Sequence, residues 1–404
     1  MTDALIITGG IVIDPDASVS KRAVTIEGDR IVAKTSGNAE YIDASGKFIA
    51  PGIVDLGVFK VDKPGFIAGG ITRVALMPDQ SPPLDDPGLV QRAALAAKPD
   101  LWVHPIGAAT RSLAGAELAE YALMARAGAK AIATGREWIA DSNVMRRVLS
   151  YAASLGLTVI SHPEDGGLTR QAVATDGETA TRLGLSSAPA VSEAIAIARD
   201  LALVELTGAP LHFRQVTTAK GLDLVRRAKA DNLPVTCGIT PAHLILSDNT
   251  ITGFRTFARV SPPLRCDADR KACIEGVRDG TIDVLCSGHD PRGPEAKRLP
   301  FADAAPGMAG AETLLALALG LVRDEVIALP RLFAMLSANP AKILGVEGGH
   351  IAPGSAADLV IFDAEAPWVI NGDAFAGAAN NTPFDRMPAQ GRVTATIKGG
   401  RVLN

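Results

Sequence analysis

Six histidines are spread along the chain: His104, His162, His212, His243, His289 and His350. Imidazoles and carboxylates that converge on one point make a metal centre, and such a centre activates water for hydrolysis. Neither an H-x-H nor an H-E-x-x-H pair occurs. Two short clusters do combine the types: His162-Pro-Glu164-Asp165, and His289-Asp290 with Arg292 close behind. They supply an acid, a base and an anion clamp if a fold brings them together. Taken singly, each histidine reads as a side chain satisfied by hydrogen bonds inside the fold. Ser161 and His162 are neighbours, so on a strand they point to opposite faces and cannot form a nucleophile–base pair. The Gly-rich stretches GGIT and GMAGAE lack the spacing of a phosphate loop or a dinucleotide fingerprint, and no G-x-S-x-G elbow occurs. Cys237, Cys266, Cys273 and Cys286 form no C-x-x-C pair and read as buried, reduced thiols rather than a thiolate metal site.

What could position these groups is a series of apolar runs of β type. They cover 52–59, 72–77, 101–107, 129–134, 157–162, 210–216, 234–240 and 282–288, and amphipathic helical patterns follow most of them. In 141–156, Asp141 or Ser142 can cap a helix that Gly156 stops, and 188–207 carries an apolar stripe at helical spacing. Eight alternating β and α units imply parallel strands with right-handed crossovers, closing as an α/β (β/α)8 barrel. Such barrels place their chemistry at the C-terminal ends of the strands. By that rule His162, Glu164 and Asp165 follow strand five and His289 and Asp290 follow strand eight, while His104 and His212 lie inside strands three and six. The first unit is irregular. Only residues 60–71 separate its strand from the next, and Pro64, Gly65, Gly69 and Gly70 fall among them. A crossover normally needs about 10–12 residues including its helix, so that helix is expected to shrink to a turn or vanish.

The two ends differ from the middle. Residues 4–50 show short alternating runs broken by Gly-Gly and Gly-Asp, and 358–364 and 393–403 share that texture. They predict a composite β domain from 1–50 and 352–404, a small sandwich, appended to a barrel over 51–351. The 404 residues suit that size. With 47% hydrophobic and 21% charged residues the chain can bury a large core. A net charge of −4 with no basic patch argues against nucleic acid or anionic membrane as a partner. MTDALIITGG reads as a first strand, not a signal peptide, and no apolar run reaches about 18 residues, which suits a cytoplasmic protein.

The stretches FIAPGIVDLGVF, GGITRVALMPDQSPPLDDP, DSNVMRRVLSYAASLGLTVISHPED, SEAIAIARDLALVELTGAPLHFRQVTTAKGLDLVRRAK, VTCGITPAHL, SPPLRCDADRKACIEGVRDGTIDVLCSGHDPRGPEAK and GHIAPGSAADLVIFD follow one another in order. Together they resemble the dihydroorotases of the amidohydrolase superfamily over almost the whole chain. That resemblance implies a metal-dependent barrel, a β domain built from both termini, and the reversible cyclisation of carbamoyl-aspartate to dihydroorotate. It also locates the family's site residues. The histidine pair of strand one falls on Gly57 and Phe59. The bridging carboxylate after strand four falls near Thr134 or Gly135, the strand-five histidine on His162, the strand-six histidine on Gln215, and the strand-eight aspartate on Gly288. The substrate positions fall on Asp79, Ser261 and Arg292, and Lys60–Lys63 replaces the arginine that grips the substrate carboxylate.

Only His162 of the six metal positions keeps a ligand type. Catalytic zinc takes about three protein ligands, so a lone imidazole leaves neither metal nor activated water. The resemblance therefore points to a non-catalytic homologue without a cofactor. Such homologues are known in the family as structural partners of aspartate transcarbamoylase, in an assembly with several copies of each chain. Two other readings stand beside it. One is an active cyclic-amide hydrolase with a repurposed site at His162, Glu164, Asp165, Asp290 and Arg292, metal-free or with zinc. The other is a pseudoenzyme that binds a ligand or another protein. The vacated metal cavity is expected to be filled by protein, with Phe59 taking up volume and Gln215, Glu164 or Asp165 bonding His162.

Overall fold

A computed structural model describes residues 4–15, 19–35 and 38–404. Its centre is a sheet of eight parallel strands in sequence order: β1 (Ile53–Val58), β2 (Ile71–Leu76), β3 (Trp102–Ala108), β4 (Ala131–Ala133), β5 (Val159–Ser161), β6 (Leu211–Phe213), β7 (Val235–Ile239) and β8 (Val284–Leu285). Each of the eight apolar runs yields one strand, six of them trimmed at both ends and β2 and β3 shifted by one residue. Helices Pro87–Ala94, Tyr121–Arg126, Ser142–Ser154, Val191–Thr207, Ala219–Ala230, Asp267–Arg278 and Leu314–Arg323 follow β2 to β8. Asp141 caps the third of these, accepting from the amides of Asn143 and Val144. The first crossover keeps a helix of six residues, Lys63–Ala68, with proline in its first turn. It shrinks without vanishing, because a proline in the first turn costs a helix no hydrogen bond.

The barrel closes between β8 and β1 through side chains. The carboxylate of Asp55, fully buried, accepts the amide of Ser287 at 2.9 Å and also its hydroxyl. Just beyond, the amide of Phe59 donates to the carbonyl of His289 at 2.9 Å. Burial pushes the Asp55 carboxyl above its usual range, opposed by the Ser287 hydrogen bonds.

Gly57 sets which side chains enter the barrel. The β1–β2 register shifts between Leu56 and Val58, and Gly57 sits there at φ +137°. This is a bulge, where one extra residue changes the parity of the strand. Val54 and Leu56 face the inner core with Ala75, Met77, Ile106 and Ile160. Strict alternation would turn Val58 inward. Instead Phe59 joins that inner core, and Val58 packs in the outer layer between strands and helices.

The terminal segments form two further sheets. One joins Arg30–Val32, Val24–Glu27, Ala4–Thr8 and Ala39–Asp43; the other joins Arg401–Val402, Pro388–Lys398, Leu359–Val369, Phe48–Pro51, Ile11–Ile13 and Val19–Lys21. They share a core of Ile7, Val12, Ile26, Ile49, Leu359, Ile361 and Ile397. The antiparallel pair Leu359–Val369 and Pro388–Lys398 reaches well past the runs visible in the sequence. Its outer half is mostly half-buried or exposed, so no apolar run marks it. Among the described residues, no helix is long and apolar enough to cross a membrane.

Candidate functional site in the barrel mouth

The C-terminal ends of the strands gather a polar cluster around one aromatic ring. Phe59, 6% exposed, lies with the guanidinium of Arg136 over its ring at 3.8 Å and that of Arg214 at 5.0 Å. Arg214 leaves the end of β6 and is 3% exposed. Its Nη2 meets Nδ1 of His162 at 2.9 Å. An arginine only donates, so Nδ1 accepts and the ring proton sits on Nε2. That Nε2 faces Oε2 of Glu164 at 3.4 Å. Burial, and then the Arg214 charge, press the His162 pKa down and keep the ring neutral.

Behind His162 the charges alternate. Glu164 bonds Arg265 at 2.6 Å, and Arg265 reaches Glu193 at 3.7 Å and the hydroxyls of Thr217 and Thr175. Burial alone would raise the Glu164 carboxyl, but Arg265 and His162 outweigh it and hold it at about 2. On the other side, Asp290 bonds both Arg136 and Arg292 at 2.8 Å. Asp79 accepts the Arg136 amide at 2.8 Å. His289 is tied into the wall: its Nδ1 accepts the Ala311 amide at 3.3 Å, and its Nε2 lies 3.5 Å from Asp62. Asp62, within the Lys60–Lys63 stretch, also accepts the amide of Ala378.

His162 and Glu164 are thus brought together, and so are Asp290 and Arg292. Arg136 joins Asp79 and Asp290 across the mouth. Asp165 stands apart, capping the short helix Gly166–Thr169 through the Gly167 amide. Gln215 does not bond His162: its Oε1 has no hydrogen-bond partner among the described residues. Of the partners expected for His162, only Glu164 takes the role, at Nε2, while Arg214 occupies Nδ1. Cys237, Cys273 and Cys286 are buried thiols, but Cys266 is exposed at the start of the helix Asp267–Arg278, contrary to the sequence reading. Its position just ahead of the helix leaves it outside the core stripe.

Three decisive residues were missed from sequence: Arg136, Arg214 and Arg265. Their signal was present. An arginine inside an apolar strand, as in LHFRQV, is almost never buried without a partner.

The centre of the mouth is nearly solid. A cavity of about 20 Å³ remains between Phe59, Arg136, Arg214, Gln215, Gly288 and Asp290. That is room for about one water. A second recess of about 120 Å³ lies outside it, along Arg136, Trp138, His162, Glu164, Arg259 and Ser261.

Comparison with known proteins accounts for this architecture. The model of the amidohydrolase family matches residues 61–403. A dihydroorotase of Anaeromyxobacter dehalogenans (strain 2CP-C) is 37% identical over 427 residues, covering 100% of this chain and 98% of that protein. A dihydroorotase-like protein of Pseudomonas aeruginosa is 38% identical, covering 98% and 99%. The chain is a dihydroorotase-family amidohydrolase. In fold it is also similar to the L-hydantoinase of Arthrobacter aurescens, with a TM-score of 0.88 at 24% identity over 100% of this chain and 96% of that one.

The zinc that this family implies can be tested against the residues present. They do not fit it. Both ring nitrogens of His162 are engaged, one by a cationic guanidinium. A Cβ on Gly135 would lie 3.0 Å from Asp79 Oδ1 and 3.1 Å from Leu113. At Gly288 it would lie 2.9 Å from Thr240 Cγ2. Both positions are therefore closed to a coordinating carboxylate as packed. No three His, Cys, Asp or Glu among the described residues are grouped to hold a metal ion. In this amidohydrolase the positive charge at the barrel centre belongs to Arg214 and Arg136, with Phe59 beneath them.

Proposed function

We propose that this dihydroorotase homologue has exchanged catalysis for assembly, and that its partner is aspartate transcarbamoylase in the cytoplasm. The observation that carries the reading is the Arg214 guanidinium bonded to His162. It spends the one surviving ligand position on a permanent cation. The acids nearby are each held by arginine: Glu164 by Arg265, Asp290 by Arg136 and Arg292. A general base needs a free lone pair aimed at a bound substrate, and the central cavity admits about one water rather than a heterocycle. The partner follows from the family resemblance, in which homologues without a metal site hold transcarbamoylase copies together.

The test is to co-express the two chains and measure the mass of the product by light scattering, together with transcarbamoylase activity. A stable complex of several copies of each, burying roughly 1,200–2,000 Å² or more per interface, is expected. Separate elution at micromolar concentration with unchanged activity defeats the reading.

One observation favours a second reading, hydrolysis of a cyclic amide. The His162–Glu164 pair borders the 120 Å³ recess, which Ser261 and Arg259 also line. Relatives named dihydroorotase share over a third of the sequence. Measurable dihydroorotate turnover that is lost in Glu164→Gln would move this reading ahead.

A further inference from the structure

The helix Val191–Thr207 packs its buried side on the barrel through Ala194, Ile197, Leu201 and Val204. Its solvent side should then be polar. It is not. The exposed positions are Val191, Ile195, Ala198, Ala202, Glu205 and Leu206, and only Glu205 carries charge. Val191 is 38%, Ile195 43% and Leu206 69% exposed. The flanking helices provide the contrast. Ser142–Ser154 exposes Ser142, Asn143, Arg146, Arg147, Ser150 and Ser154, and Ala219–Ala230 exposes Lys220, Asp223 and Arg227 with two terminal alanines. An apolar strip thus runs between two polar borders. A solvent side this poor in charge is unusual for a surface helix, whose outer face is normally polar.

We propose that this strip is a self-association surface, on which two copies of this chain pack their Val191–Thr207 helices antiparallel about a two-fold axis. The spacing is self-complementary. Positions 191, 195, 198, 202 and 206 repeat at three and four residues, the seam of a packed helix pair. With the axis near residue 200, Ala198 of one copy meets Ala202 of the other, and Ile195 falls against Leu206 and the stem of Glu205. Small side chains face small ones at the crossing, and large ones face large ones on either side. That arrangement is what an isologous contact requires, since one patch must complement itself.

Area supports the same occupant. Seventeen residues of helix rise about 25 Å, and a face about 10–12 Å wide covers roughly 250–300 Å² per copy. That alone falls short of the roughly 800 Å² per partner of a stable interface. Adding the two bordering helices, about 10 Å away on each side, brings the footprint to about that value. The result has an apolar centre and a polar rim, the usual anatomy of an interface. The inference goes beyond the transcarbamoylase reading and needs no second protein.

The experiment uses the full chain alone, by sedimentation from about 1 to 100 µM, beside Ala198→Arg and Leu206→Glu. Wild type should sediment at twice the 41.8 kDa chain mass. Each variant should weaken self-association at least 100-fold while its melting temperature in dilute solution is unchanged, since both sites are exposed. Mixing Ala198→Cys with Ala202→Cys chains should give a cross-linked pair under a short bis-maleimide, more than either chain alone. A monomeric wild type at 100 µM overturns the proposal, as does a dimer untouched by Ala198→Arg. If wild type is monomeric and Ala198→Arg instead abolishes binding to transcarbamoylase, the strip belongs to that partner, and the assembly reading stands while this one falls.

Discussion

Arg214 Nη2 lies 2.9 Å from His162 Nδ1, both side chains 3% exposed. A fixed cation therefore faces the one histidine that the family resemblance assigns to the metal site. It is held by Phe59 beneath it and by the attraction of Asp79 and Asp290. Removing the guanidinium leaves the buried Nδ1 of His162 without a donor. Arg214→Met should cost about 1–3 kcal/mol, the range for a buried polar atom left unpaired. Urea unfolding monitored by tryptophan fluorescence reads it, and a loss under about 0.5 kcal/mol would show the guanidinium to be dispensable.

Restoring the strand-one histidines should not restore a metal centre. In Gly57→His/Phe59→His, the first substitution forces an L side chain to φ +137°, a strain of about 1–3 kcal/mol, and Gly135 and Gly288 remain closed. The double variant should melt below wild type, bind no stoichiometric zinc by elemental analysis and hydrolyse no dihydroorotate. Wild type should likewise hold less than stoichiometric zinc when purified without chelator. Turnover in the double variant would mean that the closed positions can relax.

Acidification should destabilise the fold well above the carboxylate range. Burial lowers His104 and His212 to about 3 and His243 to about 4, from an ordinary 6.5. Each stays neutral in the native state while the unfolded chain takes up a proton below about pH 6.5. Stability is therefore complete above 6.5 and falls with pH down to the native values. By linkage the loss is about 1–2 kcal/mol per histidine by about pH 5. Glu164, lowered to about 2, adds its own loss only below about 4.5. Urea midpoints at about pH 7 and pH 5 check this: an equal midpoint contradicts it, and His212→Gln should shrink the difference.

Asp55→Ala should loosen the barrel seam. It leaves the Ser287 amide and hydroxyl buried without their acceptor, at about 1–3 kcal/mol each. Hydrogen exchange should rise at β1 and β8 before β4 and β5. Uniform exchange along all eight strands would place the closure elsewhere.

The eight strands could be read from sequence because a parallel barrel buries both faces of every strand, which leaves continuous apolar runs. The Asp141 cap and the short first helix were legible for local reasons, since capping side chains and prolines act within one turn. What the line of residues did not carry was the pairing. His162 and Arg214 are 52 positions apart, and Asp290 lies still further from Arg136. Which acid meets which arginine is decided by closure of the barrel, which brings the ends of β4, β5, β6 and β8 to one place. The inward turn of Phe59 is decided there too, because it depends on a bulge at Gly57 that only the β1–β2 register reveals. An apolar stripe at helical spacing was visible over 188–207. That the helix carries a second one, facing away from the core, could be told only once the barrel had taken the first, because periodicity fixes the angle between residues on a helix and not the side on which its neighbours stand.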